Sequence, residues 1–406
     1  MIPFCSVYNE TVKILVVCQH YYPENFSISS LCETFVEDGH EVLVVTGKPN
    51  YGYGRILEGY ENVTDEVIRG VRVHRVNLIA RSEGRMSIVK NYLSFWKNSK
   101  NYLSHLKEEF DVVYSMSLSP VISIAGANIY ARKHKVRHVL HCLDLWPESV
   151  AITHAISKGN PLYWALYFWS RSLYSKTSKV LVSSPSFIDY FRHVLRLKKL
   201  PIEYVPQPPF LAEKAGADVQ YPHRYNLVYA GNVGTLQLVE NLAKATEKAA
   251  KSVDVCLHII GMGARSKALK EWIEEANAQD HVVLYGTRPR GVTATFFPNA
   301  TGIVVTLTSG GTVGKTIPSK LNASLCFARP VLACIEGDGK EVLKEAKGSV
   351  FSAGESVDEL ANAILALCSL TDEERENLGK NNLAYFNDHF CMSRIAKTIE
   401  EELKTK

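Results

Sequence analysis

Short apolar runs rich in β-branched residues alternate with helical segments along this chain. The first run is 12–18; a helical pattern over 27–38 follows it, ends at Gly39 and leads into a second run over 41–46. A strand, a helix and a strand of these lengths form a βαβ unit, whose two strands are parallel. The alternation therefore predicts an α/β protein built on mostly parallel sheets.

The alternation occurs in two series, separated by an irregular segment over 195–217 that contains four prolines. Further strand-like runs lie at 71–76, 112–116, 136–142 and 180–183 in the first series and at 226–230, 255–260, 282–285, 302–306 and 330–334 in the second. At about 150 residues per domain, 406 residues suffice for two to three domains. We predict two doubly wound domains, over 1–207 and 208–385, with an interdomain cleft as the default ligand site.

Charge balance and cysteine content exclude several classes of protein. Lys plus Arg amount to 46 and Asp plus Glu to 42, so the net charge gives no support for a nucleic-acid partner. Nine cysteines without a C-x-x-C pair argue against a disulfide framework or a zinc ribbon and favour a reducing compartment. The stretch 1–11 lacks a basic region followed by an apolar run, so we expect no secretory signal. No D-x-D triplet occurs, and the single H-x-x-x-H spacing, from His134 to His138, runs into the strand-like run 136–142, so we expect no metal site.

Three glycine loops follow strands of the second series. The loop 231–234 follows the first of these strands, and 261–266 follows the next. The second loop is similar to a dinucleotide fingerprint, but Ser266 stands in place of the third glycine. A tight turn from strand to helix needs such glycines in any case, so we expect no dinucleotide cofactor.

The third loop, 309–316, nearly matches a phosphate-binding P-loop. Ser309 stands in place of its first glycine and Pro318 follows directly, which argues against a nucleoside triphosphatase. Backbone N–H groups of this turn, at the start of a helix predicted over 318–328, nevertheless suit a phosphate. Lys315 and Lys320 would add positive charge, although a pair of ordinary solvated lysines fits the pattern as well.

Polar residues follow the apolar run 136–142. His141 and Asp144 lie at the carboxyl edge of the predicted strand, where side chains line a cleft. His141 could instead close the strand end, and Asp144 could cap the helix after Pro147.

Two aromatic-rich helical stretches stand apart from the glycine loops. The stretch 81–107 contains six basic residues, one acid and several aromatic side chains, and 163–174 is the second such stretch. A basic amphipathic helix of this kind is typical of a membrane surface or a partner interface. An ordinary helix that faces the core and has solvated lysines is the alternative.

Seven short motifs occur in a specific order along nearly the whole chain. They lie at 19–24, 39–42 together with 46–49, 70–76, 144–149, 229–234, 260–263 and 317–321. In this order they resemble retaining glycosyltransferases of family 4, which have the GT-B fold, and within them the subgroup that builds bacterial capsule, O-antigen and colanic acid. The resemblance implies two Rossmann-like domains that face each other across a cleft, with a final segment, 386–406, that crosses back to the first domain.

The resemblance also implies a reaction. The protein would move a sugar from a UDP- or GDP-linked donor to a hydroxyl, with retention of the anomeric configuration. The second domain would bind this donor, and the first would bind a glycan or a polyprenyl-diphosphate-linked acceptor. No metal or separate cofactor is expected. The location would be cytoplasmic, with peripheral contact at the inner face of the cytoplasmic membrane as a hypothesis that rests on 81–107.

Site residues are carried over onto matching positions. In this resemblance Asn232, Gly234 and Gln237 lie near the donor phosphates, and Lys320 pairs with the diphosphate. The catalytic candidates are Lys320, Asp144 and His141. The candidates for substrate binding are Gly231, Asn232, Gly234, Gln237, Gly311, Lys315, Ser319, Glu336, Gly337, Gly339 and Glu24.

The chain departs from the family pattern at three positions. Two glutamates that are common in the wider family are replaced by Lys315 and Ala323, and the arginine that usually precedes Asp144 is Leu143. These changes leave the ribose contact and a cation on the acceptor side open. A nucleotide-sugar epimerase or phosphorylase of the same fold, and a catalytically silent partner subunit, therefore remain alternatives.

Overall fold

The computed structural model describes residues 11–82, 84–152, 156–211, 213–310 and 316–405, without the side chains of Arg85 and Ile152. The chain forms two compact units. The first comprises the described residues up to Phe210 and those from Met392 onward, and the second is Leu211–Cys391. Each unit contains one sheet of mostly or wholly parallel strands, which confirms the predicted class of two Rossmann-like α/β domains.

The first unit contains an eight-stranded sheet in the order β3-β4-β2-β1-β5-β6-β7-β8. Its central strands β1 and β5 are almost wholly buried, as expected where helices cover both faces of a sheet. The strands are β1 (Lys13–Val17), β2 (Glu41–Gly47), β3 (Asp65–Ile68), β4 (Val71–Val76), β5 (Val112–Ser117), β6 (Arg137–Cys142), β7 (Lys179–Val182) and β8 (Ile202–Tyr204). The helices up to this point are α1 (Ile28–Glu37), α2 (Arg85–His105), α3 (Ala125–His134), α4 (Glu148–Ile152), α5 (Pro161–Tyr174) and α6 (Ser186–Asp189).

Two edge strands of this sheet differ from the prediction. Strand β3 pairs antiparallel with β4 and has only four residues, DEVI, whose burial is at most partial. Strand β8 pairs with β7 and lies inside the segment interpreted as a linker, between Pro201 and Pro206. Strands this short do not develop a recognisable alternation, and their pairing is decided by the neighbouring strand.

The second unit contains a six-stranded parallel sheet in the order β11-β10-β9-β12-β13-β14. Strand β14 was not predicted because, like β8, it has only three residues and shows no recognisable alternation. The strands are β9 (Tyr225–Ala230), β10 (Val255–Ile260), β11 (Val282–Gly286), β12 (Gly302–Thr306), β13 (Val331–Cys334) and β14 (Ser349–Phe351). The helices are α7 (Val239–Ala250), α8 (Ser266–Glu275), α9 (Arg290–Thr293), α10 (Ser319–Leu325), α11 (Asp338–Ala346), α12 (Val357–Ser369) and α13 (Asp372–Tyr385).

The last helix, α14 (Met392–Lys404), returns to the first unit. Its apolar face buries Ile395 and Ile399 in the core beside β1 and α1. At its end, the Lys179 ammonium lies 2.5 Å from a carboxylate oxygen of Glu402. The segment that returns to the first unit therefore begins at Met392, whereas residues 386–391 of the predicted segment 386–406 belong to the second unit.

Each sheet reverses its strand order at one place. In the first unit this place lies between β1 and β5, and in the second between β9 and β12. Loops that leave the carboxyl ends of two such strands run in opposite directions and open a crevice, where doubly wound domains bind their ligands. The fold thus provides one candidate site in each unit.

Candidate active site

Two glycine loops of the second unit meet backbone to backbone beyond β9 and β10. The Gly231 N–H donates to the carbonyl of Ile260 at 2.9 Å, and the Val233 N–H donates to that of Met262 at 3.1 Å. A Cβ added at Gly261 would lie 1.9 Å from the carbonyl oxygen of Gly231. Gly261 is therefore needed for this close approach, independently of any dinucleotide.

Asn232, Gly234 and Gln237 are brought together in the loop after β9. The Asn232 side-chain amide donates to the amide oxygen of Gln237 at 3.3 Å. A Cβ at Gly234 would lie 2.6 Å from that Gln237 oxygen, so a larger residue would push the two amides apart. The three candidates carried over for the donor phosphates thus form one polar cluster at the switch point.

The loop after β12 is tied to this cluster. The Thr306 hydroxyl donates to the carbonyl of Gln237 at 2.5 Å, and the Thr308 N–H donates to that of Leu236 at 2.8 Å. Beyond Thr308, the Ser309 N–H donates to the carboxylate of Glu355 at 2.6 Å. The loops of β9 and β12 are therefore held in a fixed geometry.

Glu355 is a residue that the sequence analysis missed. Burial alone would raise its pKa, but the hydrogen bonds from Ser309 and Thr308 lower the pKa below the ordinary range of a glutamate. Its position directly after β14, at the carboxyl edge of the sheet, is the signal that would have found it. That signal was hidden because β14 itself was not recognised.

Lys320 places a largely buried amino group at the switch point. Its Nζ lies 3.3 Å from the carbonyl oxygen of Thr306, 3.4 Å from the hydroxyl of Tyr229 and 4.4 Å from the centre of the Tyr229 ring. The Tyr229 hydroxyl in turn donates to the carbonyl of Asn232 at 2.7 Å. Among the described residues, no carboxylate lies within ion-pair distance of Lys320.

Burial lowers the pKa of Lys320 to about 7. An ammonium withdrawn from water without a counter-ion is costly, and an anion beside it would offset that cost. Lys320 is thus not an ordinary solvated lysine. Two further candidates of this region, Gly311 and Lys315, lie outside the described residues.

The remaining candidates of the second unit surround the turn before α10. This helix begins at Ser319 and ends at Leu325, earlier than the predicted Ala328, whose backbone has the left-handed φ of +52°. A Cβ at Gly339 would lie 3.3 Å from the carbonyl oxygen of Thr316, so α11 packs closely against this turn.

Gly337 and Glu336 lie just before α11. Gly337 adopts a φ of +68°, which suits glycine and lets the chain turn into the helix. The Glu336 carboxylate lies 2.6 Å from the ammonium of Lys340, one turn further along, and its side chain is 53% exposed. Glu336 therefore forms a surface ion pair.

The switch point of the first unit holds an open pocket, whose non-atom space is about 430 Å³ when the solvent at its mouth is included. Residues that follow four strands line it: Gln19 and His20 after β1, Leu118 and Ser119 after β5, Leu143 after β6 and Gln207 after β8. The pocket occupies the position at which doubly wound domains bind ligands.

Asp144 lies beside this pocket. One of its carboxylate oxygens accepts a hydrogen bond from the N–H of the pocket residue Ser119 at 3.2 Å. Burial raises the pKa of Asp144, and the bond from Ser119 partly offsets that effect. The sequence offered Asp144 as a possible cap of the next helix. In the structure its carboxylate instead connects the loop after β6 to the loop after β5.

His141, a catalytic candidate of the sequence analysis, is fully buried and has partners on both ring nitrogens. Its Nε2 donates to the carbonyl of Val205 and its Nδ1 accepts from the hydroxyl of Tyr114, both at 3.0 Å. Burial lowers the pKa of His141 to about 4. His141 lies inside β6, as the run 136–142 predicted, but the sequence did not show that Val205 and Tyr114 would occupy both of its ring nitrogens.

Glu24, a candidate for substrate binding, has its carboxylate occupied by neighbouring groups of the chain. Its buried carboxylate accepts the N–H groups of Asn50 and Tyr51, both at 2.6 Å, and lies 2.9 Å from Nδ1 of His20. Glu24 therefore organises the loop, and His20 is the residue that reaches the pocket. The His/Glu spacing of four in the motif 19–24 was the available signal for this pair.

No cluster of metal-binding side chains occurs in the described part of the chain. Over the same residues, none of the helices is both long and apolar enough to cross a bilayer.

Two Rossmann-like units, each with a site at its switch point, define a two-domain protein of the GT-B type. Family models agree: residues 25–208 match the "Glycosyl transferase 4-like domain", and 219–384 match "Glycosyl transferases group 1". The chain is thus a glycosyltransferase of the GT-B type. No curated protein matches it in sequence.

Solved structures of similar fold cover nearly the whole chain. Sucrose-phosphate synthase from Thermosynechococcus elongatus has a TM-score of 0.72 at 16% identity, over 97% of this chain and 98% of its own. The E. coli trehalose-6-phosphate protein bound with UDP-2-fluoro glucose has a TM-score of 0.69 at 11% identity, over 97% and 99%. Anabaena HepE in complex with UDP and glucose has a TM-score of 0.65 at 14% identity, over 97% and 99%. At these identities the similarity shows the shared fold.

Proposed function

We propose that this protein is a retaining family 4 transferase that moves a hexose from a UDP- or GDP-linked donor to a hydroxyl of a glycan or polyprenyl-linked acceptor in surface polysaccharide synthesis. The observation that carries the proposal is the buried Lys320 ammonium, which lacks a carboxylate partner among the described residues and lies at the switch point of the second unit. Structural neighbours bound with UDP, UDP-2-fluoro glucose or glucose support the choice of a nucleotide sugar.

In the proposed reaction the bond between the anomeric carbon and the diphosphate breaks as the acceptor oxygen bonds to that carbon. The bonding electrons leave with the nucleoside diphosphate, and the acceptor proton passes to this leaving group. Negative charge thus grows on the terminal phosphate. A preorganised hydrogen-bond donor that points at such developing charge usually makes the largest contribution to catalysis. In the proposed reaction the Lys320 ammonium is this donor.

The cradle of Lys320 prepares it for this role. An ammonium has three N–H groups, and Thr306 and Tyr229 accept two of them. The third is then available to a phosphate oxygen. The adjacent amides of Asn232 and Gln237 and the backbone of the glycine loops would add neutral donors.

An assay with a panel of UDP and GDP hexoses tests this function against its alternatives. Slow release of nucleotide, accelerated by a glycan acceptor with retained anomeric configuration in the product, is the expected result. Interconversion of the sugars without nucleotide release would instead identify an epimerase. Binding without any turnover would identify a silent partner subunit.

A second part of the proposal concerns the location at a membrane. Helix α5 buries its tyrosines, of which Tyr163 and Tyr167 have bonded hydroxyls, and it exposes large apolar side chains, with Trp164 49% and Phe168 63% exposed. Helix α2 lies beside it, because Trp96 and Trp169 meet edge to face at 5.9 Å. The sequences of both helices contain no acidic residue.

This composition suits an anionic bilayer surface. Each Lys or Arg near such a surface contributes about 1 kcal/mol of binding, and aromatic side chains favour the level of the lipid head groups. Lys90, Lys97 and Lys100 are exposed on α2. The protein would then meet a polyprenyl-linked acceptor at the bilayer surface, where the lipid part of that acceptor is anchored.

Flotation with vesicles rich in phosphatidylglycerol tests the membrane contact. We expect the wild type to float at low salt and the double variant Trp164→Ser, Phe168→Ser to remain in the soluble fraction. Val67→Ser on the edge strand β3, where Val67 is 69% exposed, is the matched control and should float like the wild type. Absence of wild-type binding at low salt would refute this part.

A further inference from the structure

The pocket at the switch point of the first unit is lined without a permanent charge. Its polar lining residues include Gln19, Ser119, Ser123 and Gln207, and its apolar lining includes Phe26, Met116 and Leu143. No Asp, Glu, Lys or Arg is among the described residues that line it. Such a surface offers a phosphate no side-chain cation. It suits a neutral molecule with both hydroxyl groups and an apolar face.

His20 is held rigidly in this pocket. Its ring stacks on Phe26 with centroids 4.8 Å apart and meets the edge of Tyr51 at 5.1 Å. Its side chain is only 6% exposed. A ring packed in this way presents its second nitrogen in one direction, without a cost in side-chain entropy when a ligand binds.

Glu24 determines which ring nitrogen of His20 carries the proton. The carboxylate accepts the backbone N–H groups of Asn50 and Tyr51 as well as Nδ1–H of His20, at 2.9 Å. A carboxylate partner at Nδ1 fixes the tautomer in which Nε2 is an acceptor. No residue of the described ranges bonds to this Nε2, and His20 is one of the residues that line the pocket.

We propose that this pocket binds a neutral sugar ring of the acceptor and that Nε2 of His20 accepts a hydrogen bond from one hydroxyl of that ring. The identity of the ligand as the acceptor rests on the proposed function. The apolar lining contacts the C–H face of the ring, and the amides and hydroxyls serve its other oxygens. The lipid-linked diphosphate of an acceptor stays outside the pocket, because the lining offers it no cation.

Three histidine variants separate binding from a structural role. His20→Phe keeps the ring and its stacking but removes the acceptor, whereas His20→Gln supplies an amide oxygen near the position of Nε2. His74→Phe is the matched control, because His74 also pairs with a carboxylate, Asp65 at 2.8 Å, and stacks on an aromatic ring, but on the surface.

Steady-state kinetics with the full chain provide the first readout. His20→Phe should raise the acceptor KM about tenfold and leave the donor KM and the slow hydrolysis of the donor unchanged. His20→Gln should recover most of the affinity, and His74→Phe should have no effect. An unchanged acceptor KM in folded His20→Phe, or an equal loss in donor hydrolysis and transfer, would overturn the proposal.

Nitrogen NMR of the ¹⁵N-histidine-labelled wild type provides a readout that needs no turnover. The signals absent from His20→Gln identify His20, and they should show a proton on Nδ1. Methyl hexopyranosides should shift the Nε2 signal, whereas inorganic phosphate should not. If no glycoside in the panel shifts it, the pocket proposal fails even where transfer is observed. If glycosides shift it but no nucleotide sugar turns over, the pocket proposal stands and the proposed transferase function falls.

Discussion

The two switch points have the same topology and opposite chemistry. In the second unit the crevice holds the buried ammonium of Lys320, which no described carboxylate neutralises. In the first unit the buried carboxylate of Glu24 accepts two backbone N–H groups and lies 2.9 Å from Nδ1 of His20, and no described Asp, Glu, Lys or Arg lines the pocket. Parallel topology therefore provides the place for a ligand, and the pairing of buried charge determines which ligand suits it.

The two sites also differ in glycine content, which is high in the second unit and low in the first. Beyond β9 and β10 the backbones of Gly231 and Gly261 approach so closely that no Cβ fits. In the first unit no glycine is among the described residues that line the pocket. Glycine lets a phosphate approach the backbone closely, whereas side-chain amides and hydroxyls suit a sugar.

The largest effect expected is that of Lys320→Ala on turnover. Removing the donor that stabilises the leaving diphosphate should depress kcat about 100-fold or more. The affinity for a glycan acceptor in the other unit should be little changed. A kcat near the wild-type value in a steady-state assay would show that the charge of Lys320 does not contribute to catalysis. The proposed chemical difference between the two sites would then be wrong.

Gly261→Ala tests the close backbone approach in the donor site. The new Cβ would lie 1.9 Å from the Gly231 carbonyl oxygen, at a φ of +140°, so the loops must move apart. We expect the free energy of unfolding to fall by about 3 kcal/mol and the nucleotide affinity to fall with it.

Gly286→Ala is the control for this substitution. Gly286 has a positive φ of +66° but open space around its missing Cβ, so its cost should be only about 1 kcal/mol. Urea unfolding measures both variants. Equal costs would show that backbone conformation, and not contact between the loops, determines the glycine at 261.

His141→Phe distinguishes a buried structural histidine from His20. The change leaves the Val205 carbonyl and the Tyr114 hydroxyl without their partner, which should cost about 1 to 3 kcal/mol of stability. The acceptor KM of the folded protein should stay at the wild-type value, in contrast to His20→Phe. A raised acceptor KM without a loss of stability would place His141 in the site after all.

The pH dependence of stability tests the charge of Lys320. Its folded pKa is about 7, against an ordinary value of 10.5, so between these values the unfolded chain binds more protons than the folded protein. Stability contributed by this group therefore rises with pH, by at most about 1.4 kcal/mol per pH unit.

The substitution Lys320→Met should remove that rise, which urea unfolding of both proteins across this pH range would detect. Nucleotide affinity should change in the opposite direction, falling as the pH rises above 7, because the diphosphate binds the protonated lysine. Parallel pH curves for the wild type and Lys320→Met would show that the lysine is not perturbed by burial.

Much of the fold could be predicted because its signals are local. The central strands are continuous apolar runs, and the helix ends have their own chemistry, such as the Ser356 hydroxyl that caps α12. Short edge strands such as β3 and β8 carried no such signal, since their pairing depends on neighbours in space.

By itself, the sequence determined the two βαβ series, the glycines of the donor loops and the presence of Lys320 after a phosphate-like turn. Only the tertiary structure decided that Lys320 lies beside Tyr229 without a described counter-ion, and that His20 faces a pocket while His141 does not. The physical reason is that turn chemistry and periodicity are properties of adjacent residues. Burial and hydrogen bonding arise between residues far apart in the chain, and they determine the charge and accessibility of each reactive group.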